Sequence, residues 1–234
     1  MSWSQLVPTD RPVPAHHRVA IAPSLLAADF ARLPEEIAAV ERAGVEFLHL
    51  DVMDGNFVPN LTFGPMVVDA IRRVSTVPLD AHLMIASPDR YIPQFIDAGA
   101  HIVTIHAEAS GDARRDLRAI RARGVKSGLA INPDHSTEDV AQYLDEVDML
   151  LVMSVFPGFG GQSFMGSVLP NVERAAEIRE RRNLGFAIEI DGGINAKTAV
   201  QARSVGVDIL VAGTAIFRAP DYRSAVDAIR GGDR

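Results

Sequence analysis

The run His49-Leu50-Asp51-Val52-Met53-Asp54-Gly55 closes the apolar stretch Val45-Glu46-Phe47-Leu48 with an imidazole and a carboxylate two residues apart. If that stretch is a strand, alternation puts Phe47, His49 and Asp51 on one face, with the polar pair at the C-terminal end. A carboxylate left unpaired in low dielectric is costly, so such a pair must be satisfied structurally or hold a metal or substrate.

The elements that would position this pair are legible from Val19 onward, where short β-branched or aliphatic runs alternate with charged, helical stretches. Strands are expected at Val19–Ser24, Val45–Asp51, Leu79–Met84, Ile102–Ala107, Val125–Ile131, Met149–Val155, Phe186–Asp191 and Asp208–Gly213. Glycines 44, 99, 124 and 206 each stand between a helix and the next strand, where a left-handed residue ends the helix. Eight βα units predict an α/β protein of the (β/α)8 TIM-barrel class, and no GxGxxG turn after the first strand argues for a dinucleotide fold. Barrel enzymes keep their chemistry at the C-terminal mouth. The expected strand ends there are Ser24, His49 and Asp51, His82 and Met84, His106, Asn132, Met153, Asp191 and Gly213.

The whole chain narrows the function. Its 234 residues, 47% hydrophobic and 23% charged, suit one soluble barrel domain over 19–234, preceded by a loose arm at 1–18. A net charge of −7 without a basic block argues against nucleic acid or an anionic membrane surface as partner. No apolar run approaches a membrane span, and the first residues lack the apolar core of a signal peptide, so a cytoplasmic location is expected. The chain has no cysteine, and any metal must be held by histidine and carboxylate.

Four strand ends offer such a set: His49, Asp51, His82 and Asp191. Two imidazoles with two carboxylates suit Zn2+, Fe2+, Mn2+ or Co2+ better than Mg2+, which prefers oxygen throughout. Three glycine clusters follow the last strands: Pro157-Gly158-Phe159-Gly160-Gly161-Gln162, Gly192-Gly193, and Gly213 with Thr214. Such loops let backbone N–H groups approach an anion, and those after strands seven and eight commonly cradle phosphate in barrels.

Several of these segments are long enough to resemble one family. Ile21-Ala22-Pro23-Ser24-Leu25-Leu26-Ala27-Ala28-Asp29-Phe30, His49 through Asn60, Ala81-His82-Leu83-Met84, Pro157 through Gln162 and Glu189-Ile190-Asp191-Gly192-Gly193-Ile194-Asn195 are similar to ribulose-phosphate 3-epimerases. The resemblance runs in order from about Ile21 to Phe217. It implies interconversion of D-ribulose 5-phosphate and D-xylulose 5-phosphate by two-base proton transfer at C3 through a metal-stabilised enediolate.

By the same resemblance, His49, Asp51, His82 and Asp191 would hold one divalent ion per subunit, Zn2+ or Fe2+ before Mn2+ or Co2+. Asp51 and Asp191 would also be the catalytic acid and base. Ser24 and His82 would touch the sugar. Gly158, Phe159, Gly160, Gly161, Gly192, Gly193, Gly213 and Thr214 would hold the phosphate beside Asp191, and Met53, Met84 and Met153 would wall the site. A phosphorylated ketopentose is the implied substrate, and a homo-oligomer, dimer or hexamer, the implied assembly. Asn56 and Thr214 depart from common family residues, histidine and serine, without touching a proposed ligand.

Plainer roles are expected elsewhere: structural for His106, solvated for His135, turn-forming for Asp54-Gly55, and at most support for Asp80, which shares a face with His82. Ordinary core is an alternative for the methionines. The nearest rival function is the same chemistry on a longer sugar such as allulose 6-phosphate. A decarboxylase of the orotidine-phosphate kind would want lysine in D-x-K-x-x-D, and Asp51-Val52-Met53-Asp54 has none. A sugar-phosphate sensor on this scaffold would not need both carboxylates.

Overall fold

The computed structural model describes residues 19–231, and the expected arm at 1–18 lies outside them. Eight parallel strands run β1 (Ala20–Pro23), β2 (Leu48–Met53), β3 (Leu79–Met84), β4 (Ile102–His106), β5 (Lys126–Ile131), β6 (Met149–Met153), β7 (Ala187–Asp191) and β8 (Ile209–Ala212). Between and after them, among the described residues, lie α1 (Leu33–Arg42), α2 (Pro65–Val74), α3 (Ile92–Asp97), α4 (Ala113–Ala122), α5 (Thr137–Val140), α6 (Leu169–Arg181), α7 (Ala196–Ser204), α8 (Thr214–Phe217) and α9 (Tyr222–Arg230). The sheet order is β1-β8-β7-β6-β5-β4-β3-β2, and a parallel bridge between Ser24 and His49 brings its two ends together as a nearly closed (β/α)8 barrel. No helix among the described residues is long and apolar enough to cross a membrane.

All eight expected strands form, β3 over the expected residues and the others with shifted ends. β2 begins at Leu48 rather than Val45, because the Glu46 and Phe47 N–H groups both turn to the Ile21 carbonyl while the Glu46 carboxylate accepts from Ile21 N. It runs on to Met53, whose N–H donates to Thr62 Oγ1 at 2.9 Å. The Thr62 hydroxyl in turn donates to the Asp51 carbonyl at 2.7 Å and clamps the strand end that carries the acid.

Alternation divides the core. Outward residues such as Leu48, Leu50, Leu79, Leu83, Ile188 and Ile190 pack under the helices, each buried side chain contributing about 1.5–3 kcal/mol. Inward residues form layers. Ala20, Ala22, Phe47, Ile102, Met149, Ile209 and Val211 make an apolar plug. Nearer the mouth stands a polar layer, His49, Asp80, Thr104 and Glu189, each at most 1% exposed.

That layer is built to hold one imidazole. Gly128 lies beside Thr104 in register, and a Cβ on it would fall 2.1 Å from Thr104 Oγ1, so the bare glycine makes room for the hydroxyl. Thr104 Oγ1 donates to Asp80 Oδ1 at 3.1 Å, and Asp80 Oδ2 pairs with His49 Nδ1 at 2.7 Å.

Candidate active site

Parallel register sets the side chains of the mouth next to one another. Asp51 stands beside His82, and Met153 beside Asp191. One donor atom from each of His49, Asp51, His82 and Asp191 lies within 4.8 Å of the others. His49 Nε2 is 3.3 Å from His82 Nδ1 and 3.4 Å from Asp51 Oδ1, and His82 Nδ1 is 3.3 Å from the same oxygen. Donors about 2.1 Å from a tetrahedral ion sit about 3.4 Å from one another, a spacing that the three donors of His49, Asp51 and His82 match. Asp80 on Nδ1 leaves Nε2 of His49 as the atom facing this centre, the carboxylate–imidazole pairing that orients metal-binding histidines.

The cavity above, 680 Å³, is lined by Ser24, Asp51 and Asp191, by Met53, Met84 and Met153, and by every residue of the expected phosphate loops: Gly158, Phe159, Gly160, Gly161, Gly192, Gly193, Gly213 and Thr214. His49 and His82 are fully buried beneath it, so they can reach a substrate only through the centre they surround. Ser24 Oγ donates to Asp51 Oδ2 at 2.5 Å, which fixes one carboxylate oxygen while the other faces the histidines. The Gly192 turn is anchored from β6: Ser154 Oγ donates to the Asp191 and Gly192 carbonyls at 2.9 and 2.7 Å.

The two carboxyls are electrostatically unlike. Burial opposes charge on Asp51, yet the His49 charge and hydrogen bonds from His49 and His82 prevail and hold it well below the usual carboxylate range. Burial and the neighbouring Asp51 charge raise Asp191 to about 7. Burial lowers His82 to about 4, whereas the charges of Asp51 and Asp80 outweigh burial at His49 and raise it well above 6.5. Two carboxyls whose environments push them apart make a base and an acid at one pH.

These shifts set a pH dependence of stability for the cation-free protein. Between about 4 and 6.5 the folded chain binds an additional proton at Asp191 and one fewer at His82, and the two effects offset. Glu189, raised by burial and the Asp80 charge, keeps a proton that the unfolded chain releases above 4.5, so stability already falls as pH rises. As pH rises past neutral, His49 still keeps a proton that the unfolded chain has released, so stability falls. Thermal unfolding of chelator-treated protein should show a midpoint declining above neutral pH, and saturating Mn2+ should abolish the decline. A cation-free midpoint that rises over that interval refutes this balance.

Sequence reading passed over several residues of the site. Glu189, Thr104, Ser154 and Thr62 support it, and Arg218 is the one basic side chain among those lining the cavity. For Glu189 a signal existed: β2, β3 and β7 each carry an inward polar pair two residues apart, His49/Asp51, Asp80/His82 and Glu189/Asp191. Asp54 is turn chemistry in fact, its carboxylate accepting from Asn56, Phe57 and Ala86 N–H groups. His135 is partly exposed, with Nδ1 3.2 Å from Glu108 Oε1, away from the centre.

Comparison with known proteins gives a consistent picture. The model of the family described as "Ribulose-phosphate 3 epimerase family" matches residues 20–217. A ribulose-phosphate 3-epimerase of Bacillus subtilis is 46% identical over 216 residues, 91% of this chain and 99% of that protein. One of Mycobacterium bovis is 50% identical over 210 residues, 90% of this chain and 91% of its own. Among solved structures, 3-hexulose-6-phosphate synthase from Salmonella typhimurium superimposes with a TM-score of 0.67 at 17% identity, covering 91% of this chain and 97% of that one. That last likeness concerns the fold alone.

Proposed function

We propose that this chain, which belongs to the ribulose-phosphate 3-epimerase family, interconverts D-ribulose 5-phosphate and D-xylulose 5-phosphate with one divalent cation per subunit. The observation that carries the reading is the convergence of Asp51 and Asp191, from strands far apart in the sheet, with two histidines under one glycine-lined cavity.

Inverting a carbon next to a carbonyl means removing its proton from one face and returning a proton to the other. A single base would tend to restore the starting configuration. Asp51 and Asp191 line the cavity and supply two faces. One of the two carboxyls begins as base and the other as acid, a division favoured by their unlike surroundings in the cation-free site, where Asp51 is held below and Asp191 above the usual carboxylate range. Ser24, donating to Asp51 Oδ2, keeps that carboxylate oriented as its proton load changes. The loops at Gly158–Gly161, Gly192–Gly193 and Gly213–Thr214 hold the phosphate through backbone N–H groups, and the three methionines exclude water around the sugar.

His49, Asp51, His82 and Asp191 would hold the cation. When bound it supplies Lewis-acid stabilisation of the negative charge that develops on the substrate oxygens. Zn2+ or Fe2+ suits the nitrogen-and-oxygen donor set, with Mn2+ and Co2+ as further fits. A cytoplasmic location and a dimeric or hexameric assembly belong to the same reading.

A coupled assay on D-ribulose 5-phosphate tests it. Activity should be lost after verified cation removal and return when Zn2+, Fe2+, Mn2+ or Co2+ is added back. Full activity in the cation-free protein removes the cation from the proposal, and no activity on this substrate in the loaded protein removes the proposal itself.

A further inference from the structure

The fully buried histidine at the end of β4 touches the centre without facing it. His106 Nε2 lies 2.8 Å from His82 Nε2, the rings are stacked with centroids 4.9 Å apart, and Phe57 covers His106 at 4.8 Å. Two ring nitrogens in contact cannot both be bare or both carry hydrogen; one must donate to the other. Which one donates decides the state of His82 Nδ1, the atom that faces His49 Nε2 and Asp51 Oδ1.

The far end of the chain of contacts settles it. His106 Nδ1 lies 3.5 Å from Glu108 Oε2, both atoms are buried, and neither has a hydrogen-bond partner among the described residues. The other Glu108 oxygen accepts from Asn132 N at 2.9 Å and lies 3.2 Å from His135 Nδ1, so the carboxylate is held in place from β5. Burial opposes charge on Glu108, but the neighbouring His106 ring and the Asn132 N–H outweigh it and keep its carboxyl below the usual range.

A bare His106 Nδ1 facing that carboxylate would set lone pair against negative charge. The favourable arrangement puts the hydrogen on Nδ1 of His106, leaves its Nε2 bare, and therefore requires the hydrogen of His82 on Nε2. His82 Nδ1 is then bare and can donate its lone pair to a cation. Asp51 pulls the other way: in a cation-free site its Oδ1, 3.3 Å from His82 Nδ1, favours a hydrogen on that atom. The two carboxylates compete for the tautomer of one ring.

We propose that Glu108 and His106 are positioning residues for the cation site: through His106, Glu108 selects the tautomer of His82 whose bare Nδ1 faces His49 and Asp51. The inference rests on the reading of His49, Asp51, His82 and Asp191 as a cation site. Outer partners of metal-binding histidines are typically worth about 10- to 100-fold in metal affinity.

The test uses the full chain, stripped of metal and titrated with Mn2+, with free Mn2+ read by electron paramagnetic resonance. The wild type should bind one ion, with Glu108→Ala and His106→Phe binding about 10- to 100-fold more weakly. His106→Gln, whose amide oxygen can accept from His82 Nε2–H, should recover most of the affinity. Imidazole 15N spectra of the stripped protein should assign the hydrogen of His82 to Nε2 in the wild type and shift it toward Nδ1 in Glu108→Ala. That is a change no general loosening of the fold produces. Glu108 is only partly buried, so Glu108→Ala keeps the test decisive if His106→Phe does not fold. Wild-type affinity with an unchanged tautomer in Glu108→Ala overturns the inference and leaves the cation reading intact. A wild type that epimerises without binding any divalent ion overturns both.

Discussion

Asp51→Asn and Asp191→Asn should each lower epimerisation by at least about 10²- to 10⁴-fold, the range that one positioned acid or base contributes. Asparagine matches the shape of the side chain and keeps an oxygen that can face the histidines, so the fold and much of the cluster should survive. What it lacks is a proton to give or a charge with which to take one. Because the two carboxyls serve opposite faces of the carbon, the two losses strike different halves of one reaction.

A sharper outcome separates this scheme from a one-base alternative. In D2O, Asp191→Asn retains the Asp51 carboxylate, which can still remove and return the proton on its own face. That variant should exchange label into C3 of one epimer without inverting it, and Asp51→Asn should do so with the other epimer. Proton NMR of the C3–H signal follows the exchange, and the coupled assay follows inversion. Substantial inversion in either variant, or exchange into both epimers by both, defeats the assignment of one carboxylate to each face.

The second large effect concerns the backbone that joins acid to phosphate loop. Gly192 follows Asp191 directly with φ +124°, and a Cβ there would fall 2.6 Å from Val155 Cγ2 and 2.8 Å from Val155 N. Neither the conformation nor the space admits a side chain, and strain of this kind costs about 1–3 kcal/mol where the chain cannot relax. In Gly192→Ala the end of β7 must move off β6, displacing Asp191 together with the loop. A misplacement of about 1 Å at a reacting group can cost about 10²-fold. We therefore expect kcat/KM to fall by about that factor, with weaker inhibition by inorganic phosphate.

Gly213→Ala, in the same phosphate cradle, should lose less. Its φ is −100° and its Cβ would meet Ala27 Cβ at 3.2 Å, so the neighbour need yield only slightly. A Gly192→Ala protein with wild-type kcat/KM and phosphate inhibition shows that this turn sets neither the acid nor the anion.

Before any coordinates, alternation in β2 was sufficient to set Phe47, His49 and Asp51 on one face, because a strand has a side-chain period of two whatever it packs against. Eight βα units gave the barrel for a similar local reason: helix stops and apolar runs are written in neighbouring residues. Cross-barrel relations are not written that way. That His49 and Asp51 meet Asp191 depends on strand register and on closure of β1 against β2 through Ser24 and His49.

Supporting residues were legible only in part. Thr104 is an ordinary strand threonine until Gly128, on the next strand, leaves space for its hydroxyl under Asp80. Glu189 reads as part of a motif, yet only the closed interior places it 3.8 Å from His49. Types and spacing of side chains therefore fixed which groups face inward. Tertiary packing decided which of those groups touch, since contact between strands distant in the chain is set by register, and register is a property of the whole sheet.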